Sequence, residues 1–94
     1  YLSLIEKVRN KVEAIIDPEV GLSLGALGLI MNVKEIGEGL IQIDFIATSP
    51  YCPLAYSLAK AIKTVAESVE GVKKAYVYLH GHFLSERINA DVNR

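Results

Sequence analysis

Residues 40–48 show a two-residue period, and this period constrains the fold more than any other feature of the sequence. The odd positions are all apolar: Ile41, Ile43, Phe45 and Ala47. Gln42 and Asp44 lie between them. Because successive side chains of a strand point to opposite faces, one face of this strand is predicted to be buried and the other to be wetter. The fold must therefore cover one face of a sheet.

Two further strands are predicted beside this one. Residues 27–36 are also rich in β-branched side chains, and the segment between the two strands, residues 37–39, reads Gly-Glu-Gly. Such a turn between two strand-like runs predicts a β-hairpin. A third strand is predicted over residues 72–80, and before the hairpin we expect a loop that contains Gly21, Gly25 and Gly28.

The first helix is predicted over residues 3–16. Ser3 is followed three positions later by Glu6, which is the pattern of a capping box, and apolar residues then recur at helical spacing. Pro18 ends the helix because it excludes the helical conformation from Asp17 and has no backbone N–H of its own.

A second helix follows the hairpin. Pro53 occupies a first-turn position and Gly71 is placed to cap the end. Its apolar face is formed by Leu54, Leu58, Ala61, Ile62, Val65 and Val69. After the third strand, Gly81 interrupts the pattern, and residues 85–88 are suited to begin a short terminal helix.

The predicted fold class is α/β in the sense of a two-layer α+β domain. The element order is α-β-β-α-β, with a short C-terminal helix. A right-handed crossover from the second strand to the third would place both main helices on one face of a three-stranded mixed sheet. The order of the strands in the sheet is left open.

Composition excludes several classes of protein. The chain has 94 residues, 51% of them hydrophobic, a formal net charge of -1 and one cysteine, Cys52. A lone cysteine forms neither an internal disulfide nor, by itself, a metal site. The balanced charge argues against nucleic acid and membrane surfaces as partners, and no apolar run reaches the roughly 18 residues of a transmembrane helix. We therefore expect a cytoplasmic protein with a single domain, residues 1–94.

Cys52 is predicted to lie at or beside the N-cap of the second helix, between Pro50 and Pro53. Backbone N–H groups and the positive end of the helix dipole stabilise a thiolate at such a place, and a thiolate binds metals and attacks electrophiles. The alternative is a buried cysteine that acts as a small apolar residue, since free cysteines are often buried.

Two other groups of polar residues have a structural and a functional interpretation. The carboxylates of Asp17 and Glu19 are explained by a solvated helix end or, if they lie near Cys52, by a site that holds iron, zinc or a basic group of a partner. His80 and His82 leave the same face if the strand persists, and a pair of surface histidines on an edge strand is favoured over a metal site.

Tyr76 and Tyr78 continue this row of side chains, on the sheet face that no helix is predicted to cover. An aromatic stripe on an uncovered face is a candidate surface for self-association, so a homodimer is expected.

The ordered set of motifs resembles the small metal–sulfur cluster assembly domains of the PaaD and SufT type. It consists of a helix, then Asp17-Pro18-Glu19, then Leu27-Gly28-Leu29-Ile30, then a strand that ends in Thr48, and then Cys52-Pro53 at the start of a helix. The resemblance covers nearly the whole chain. It departs from the family pattern at Ala26, where an acidic residue is usual, and at residues 80–83, where the usual aromatic-proline-Trp segment is absent.

The resemblance implies an α/β fold and a non-enzymatic carrier or chaperone that inserts iron–sulfur clusters into client proteins. It also implies that Cys52 is the shared cysteine and metal ligand, that Asp17 and Glu19 are the acidic pair, and that Thr48 is the polar residue before the cysteine loop. The cluster or iron would be held transiently. Client apoproteins and a P-loop ATPase cluster carrier are the implied partners.

Two other hypotheses remain open from the residues themselves. A thiol-dependent enzyme would use Cys52 as the nucleophile and would need a general base, for which His80 and His82 are the candidates. An interaction module would use Cys52 only as a structural residue.

Overall fold

The computed structural model describes residues 3–17, 20–47 and 54–93. The predictions for Pro18, Glu19, Thr48, Cys52 and Pro53 lie outside the described residues. The elements in chain order are α1 Leu4–Glu13, α2 Leu24–Leu27, β1 Ile30–Gly37, β2 Leu40–Ile46, α3 Ala55–Glu67, β3 Lys74–His80 and α4 Ser85–Val92. The predicted order α-β-β-α-β is confirmed, and α4 is the terminal helix. The short helix α2 was not predicted.

The three strands form one mixed sheet in the order β1-β2-β3. β1 and β2 pair antiparallel, with Gly37 opposite Leu40, so the predicted hairpin is confirmed. β2 and β3 pair parallel, and the chain crosses from one to the other through α3. Gly39 in the hairpin turn has φ +74, and a Cβ there would come within 3.0 Å of the Gly71 carbonyl oxygen. Both observations explain a glycine at this position.

The alternation of residues 40–48 predicts the buried face correctly. Ile41, Ile43 and Phe45 are fully buried. Their partners in β3 are Ala75, Val77 and Leu79, which are also buried, so the two strands share one core face. α1 packs on β1 and α3, and α3 packs on β3. Both main helices therefore contribute to one core with this face of the sheet, as predicted.

α1 begins as predicted and ends early. The Ser3 hydroxyl oxygen accepts a hydrogen bond from the Glu6 N–H at 3.2 Å, which confirms the N-terminal cap. The helix stops at Glu13, three residues before the predicted end. Ile16 instead forms a β-bridge with Ser23, so the residues just before Pro18 belong to a closed loop rather than to a helix.

α2 replaces part of the predicted glycine-rich loop and the predicted start of β1. Ser23 caps it by accepting a hydrogen bond from the Ala26 N–H at 3.1 Å. Gly28 ends it in the left-handed conformation, with φ 68, which favours glycine. β1 therefore starts at Ile30 and not at residue 27.

The other two helices also differ from prediction at their ends. α3 ends at Glu67 with Ser68 as C-cap, so Gly71 lies in the following turn and does not cap the helix directly. α4 extends to Val92, because Ile88 and Val92 lie on one helical face and are both buried. No helix within the described ranges is long and apolar enough to span a bilayer.

We predict that Gly25→Ala destabilises the contact between α1 and α2. A Cβ on Gly25 would lie 2.9 Å from the Cβ and 3.3 Å from the carbonyl oxygen of Glu13, so the two helices would have to separate. Overpacking of this kind costs about 1–3 kcal/mol of the free energy of unfolding. Urea denaturation measures this loss. Because alanine is the better helix former, Gly25→Ala would stabilise an unhindered helix, and unchanged or greater stability would contradict the steric explanation.

Candidate functional site

The carboxyl ends of the parallel strands β2 and β3 lie side by side. Ile46 at the end of β2 is paired with His80 at the end of β3. After β2 the sequence continues through the segment that contains Cys52. The next helix, α3, follows with Leu54 as its N-cap. The chain that leaves β3 turns at Gly81. Loops that follow neighbouring parallel strands emerge at the same end of a sheet, where the carboxyl ends of the strands lie. Both segments therefore begin at this end.

The loop that carries Asp17 is closed by its own backbone hydrogen bonds. The Asp17 N–H donates to the Leu22 carbonyl oxygen at 2.9 Å, and the Asp17 carbonyl oxygen accepts from the Gly21 N–H at 2.8 Å. The Leu24 N–H donates to the Ile15 carbonyl oxygen at 2.8 Å. The side chain of Asp17 is only 2% exposed. The interpretation of Asp17 as a solvated carboxylate at a helix end is therefore wrong.

A short chain of backbone bonds connects this loop to the end of β2. Leu24, which is bonded to the loop, accepts a hydrogen bond from the Leu29 N–H at 3.1 Å. Leu29 in turn accepts one from the Ile46 N–H at 2.9 Å. These backbone hydrogen bonds connect the Asp17 loop, through Leu24 and Leu29, to Ile46 at the end of β2. The segment that contains Cys52 follows β2 in the sequence.

The predicted site residues are only partly described. Asp17 is the one that the structure describes, whereas Cys52, Glu19 and Thr48 lie outside the described residues. Leu54, two positions after Cys52, makes no side-chain capping hydrogen bond at the start of α3. No cluster of three or more His, Cys, Asp or Glu side chains suited to a metal ion occurs in the described part of the chain.

The two histidines do not form a surface pair. β3 ends at His80, and Gly81 has φ +72, which turns the chain. His80 is exposed, but His82 is 9% exposed and belongs to the buried residues. The prediction of two surface histidines is therefore correct for His80 and wrong for His82, because the strand does not persist through Gly81.

His82 organises the turn before α4. Its Nδ1 accepts a hydrogen bond from the Leu84 N–H at 3.0 Å, and its carbonyl oxygen accepts one from the Ser85 hydroxyl at 2.8 Å. The ring stacks on Phe83 with the centroids 5.1 Å apart. An open cleft of about 650 Å³ lies along this turn and the first part of α4. The imidazole of His82 therefore has a structural role in this turn.

The sheet face opposite the helices contains a polar pair that the sequence did not suggest. His80 Nε2 lies 3.0 Å from Asp44 Oδ1, and the Gln42 amide donates to the same carboxylate at 3.2 Å. Residues 36 positions apart carry no local signal for such a contact; only the parallel register of β2 and β3 brings them together. Tyr76 and Tyr78 project from the same face, half-buried, as predicted.

Exposed apolar side chains are concentrated in the two loops already described. Among the large hydrophobic residues that are exposed in the described ranges, five lie in these loops: Ile16, Val20, Leu22, Phe83 and Leu84. Exposed apolar residues that cluster in this way are typical of a surface that contacts another protein.

The chain is similar to known proteins over most of its length. The family model described as "Iron-sulfur cluster assembly protein" matches residues 5–77. The chain is 37% identical over 84 residues to an uncharacterized protein of Methanocaldococcus jannaschii, covering 89% of this chain and 88% of that protein. It is 32% identical to an Fe-S protein maturation auxiliary factor of Porphyromonas gingivalis, covering 78% of this chain and 70% of that protein.

A solved structure is similar as well. The crystal structure of a domain of unknown function, DUF59, from Bacillus anthracis matches with a TM-score of 0.76 and 29% identity, covering 89% of this chain and 82% of that one. Sequence and fold therefore agree over most of the chain. The chain belongs to the iron–sulfur cluster assembly protein family.

Proposed function

We propose that this protein is a maturation factor that holds iron or an iron–sulfur cluster transiently through Cys52 and passes it to client apoproteins. The observation that carries the proposal is the family match over residues 5–77, which includes both Asp17 and Cys52. The cluster is cargo and the protein is a carrier, so no catalytic residue is required. Asp17, Glu19 and Thr48 are proposed to shape the site around the thiolate.

The positions of the neighbouring elements support this proposal. The loop of Asp17 is bonded to the end of β2, from which the chain continues to Cys52. In the proposed site the Asp17 carboxylate would oppose ionisation of the Cys52 thiol unless a cation is present, so the pair would be better suited to hold a metal than to activate a nucleophile. Asp17 is buried, so its carboxylate is held in a fixed place within the loop.

A single cysteine limits the number of cluster ligands that this chain can supply. Iron–sulfur clusters are usually held by several cysteine thiolates, and this chain supplies one. The remaining ligands must come from a second copy, from small thiols or from the client. Shared ligation of this kind leaves the cluster free to transfer. The proposed partners are therefore client apoproteins, a P-loop ATPase cluster carrier and a second subunit in a homodimer, and the exposed apolar residues beside the site offer a contact surface.

We expect anaerobic reconstitution with iron and sulfide to give visible iron–sulfur absorption in the native chain and almost none in Cys52→Ala. The substitution removes the only thiol, and the methyl group that replaces it cannot ligate iron. Iron and sulfide analysis on the desalted protein gives the loading.

Ser57→Ala is the matched control for this experiment. Ser57 is exposed in the first turn of α3, so its loss alters the same helix end without removing a thiol. Its loading should equal that of the native chain. Equal loading of Cys52→Ala and Ser57→Ala would exclude Cys52 as the ligand.

The carrier role also predicts that thiol reactivity does not depend on the histidines. The rate of Cys52 alkylation, measured against pH, should have the same midpoint in the native chain and in the His80→Gln/His82→Gln variant. A thiol enzyme would instead use one of these imidazoles as its base, and the midpoint would move when both are removed. Far-UV circular dichroism is needed alongside, because His82 is buried in the turn before α4.

A further inference from the structure

The outer edge of β3 carries unusually complete hydrogen bonding. In a parallel pair each strand bonds its neighbour through alternate residues, and the residues between them point their backbone groups the other way. In β3 these outward residues are Ala75, Val77 and Leu79. No fourth strand pairs with them in the described sheet, yet each has a partner for both its N–H and its carbonyl oxygen.

Asn89 in α4 and Asn93, the C-cap residue after it, supply four of these bonds. Asn89 accepts from the Leu79 N–H at 2.7 Å and donates to the Leu79 carbonyl oxygen at 3.1 Å. Asn93 accepts from the Val77 N–H at 2.8 Å and donates to the Val77 carbonyl oxygen at 2.7 Å. Each carboxamide thus occupies the position that a peptide group of an additional strand would take.

The spacing of the two elements makes this arrangement possible. Four residues of an α-helix rise about 6 Å, and two residues of a strand rise about 6.6 Å. Asn89 and Asn93 are four apart, and Leu79 and Val77 are two apart, so α4 runs antiparallel to β3 with both amides in register.

The third outward residue is bonded by α3. The Ala75 N–H donates to Glu67 Oε2 at 3.1 Å, and the Ala75 carbonyl oxygen accepts from Lys63 Nζ. Lys63 and Glu67 are also four residues apart and form an ion pair at 3.4 Å. Lys63 and Glu67 therefore bond the backbone groups of Ala75 as the asparagines bond those of Val77 and Leu79.

α4 depends on this contact for its own stability. It has eight residues and no side-chain cap at its N-terminus, and isolated helices shorter than about 12 residues are marginal in water. Asparagine is a poor helix former, and only Ile88 and Val92 of α4 are buried. The bonds that hold α4 on β3 are of the same kind as those of an added strand, which can therefore replace them.

We propose that α4 is a removable cover over a strand edge that a second copy of this chain can occupy. Under a two-fold rotation Val77 faces its own equivalent. Ala75 faces the partner's Leu79, and this pairing also requires Lys63 and Glu67 of α3 to release the backbone groups of Ala75. Each outward N–H then meets a carbonyl oxygen, since both members of such a pair exchange bonds. On the other face the same register sets Tyr76 beside the partner's Tyr78, and aromatic cross-strand pairs are stabilising.

The opposite edge of the sheet is less suitable for a second copy. β1 has register irregularities between Ile30 and Asn32 and between Glu35 and Gly37. Only four residues remain regular between them, and one is Lys34, whose charge disfavours pairing at an edge. β3 is regular throughout its pairing with β2, so the second copy is expected at β3.

The test compares Asn89→Asp/Asn93→Asp with the native chain by sedimentation velocity over a concentration series. A carboxylate keeps the size of the amide but cannot donate to the carbonyl oxygens of Leu79 and Val77, so α4 should leave the edge. We expect dimerisation to strengthen on the order of tenfold or more, which corresponds to about 1.4 kcal/mol. Amide exchange at Val77 and Leu79 should slow as the concentration of the variant rises.

Asn10→Asp/Asn32→Asp is the control, because it makes the same change of charge at two exposed asparagines away from β3. It should associate like the native chain, with no effect of concentration on amide exchange at Val77 and Leu79. The single variant Asn93→Asp opens only the bonds of Val77 and is used if the double variant does not fold.

Three results would overturn the proposal. A folded variant that associates no more strongly than the control would show that the open edge does not bind a second copy. Dimers without protection of Val77 and Leu79 would place the contact elsewhere. Loss of fold in both the double and the single variant would show that the sheet does not persist without α4. None of these outcomes bears on cluster binding by Cys52, so the two proposals fail separately.

Discussion

Phe45→Ala is expected to lose about 3–5 kcal/mol of the free energy of unfolding, the range for removal of a buried aromatic side chain. Phe45 is fully buried in β2, paired with Ile30 on one side and Leu79 on the other. It therefore lies in the middle strand of the sheet and belongs to the hydrophobic core. The total free energy of unfolding of small domains is only about 5–15 kcal/mol, so this loss would leave the chain close to unfolding.

The second phenylalanine of the chain provides the control. Phe83 is 63% exposed and contacts the ring of His82. Phe83→Ala removes the same atoms from a site that is already largely in water, and surface changes usually stay within about 0.5 kcal/mol. Urea denaturation followed by circular dichroism measures both variants. Similar losses would mean that Phe45 does not lie at the centre of the core.

The main elements could be predicted because each has a periodic pattern. The alternation from Ile41 to Phe45 follows from the burial of one sheet face, and the confirmed α3 follows from apolar residues at helical spacing. Strand order could not be predicted, since the sequence gives no signal for the parallel pairing of Ile46 with His80. That pairing decides which loops meet at the edge of the sheet.

The errors arose where single residues override a pattern. Gly81 turns the chain with a positive φ, and His82 is therefore buried although the strand period would expose it with His80. The sequence does not predict α2 because Gly25 within it and Gly28 directly after it are typical of a loop. The cap at Ser23 and the left-handed Gly28 were the available signals for a short helix.

The candidate site was only partly predictable. The sequence singled out Asp17, but its burial depends on the loop closed by bonds to Gly21 and Leu22, which no local pattern announces. Asn89 and Asn93 have no local motif that predicts their bonds to β3. The available signal is their spacing of four residues at the end of α4, because asparagine is a poor helix former and Asn89 lies within the helix.

Asp17→Asn is expected to lower the iron loading of the reconstituted protein on the order of tenfold, the lower range for loss of a residue that supports a metal ligand. Asparagine keeps the size of the side chain and one carbonyl oxygen but removes the negative charge. Asp17 is 2% exposed, so water cannot replace the carboxylate. Loading is measured by iron and sulfide analysis after anaerobic reconstitution, and urea denaturation of the same samples shows whether the loop and the core are retained.

Asp44→Asn is the matched control for the loss of a carboxylate. Its side chain is 15% exposed and accepts hydrogen bonds on the uncovered sheet face, from Gln42 and at the ring of His80. Its removal should leave iron loading at the native level, because this face does not carry the Asp17 loop. Equal losses in both variants would indicate a general effect of charge. Native loading in Asp17→Asn would restrict the site to Cys52 and ligands from other molecules, and the buried carboxylate would then serve the loop alone.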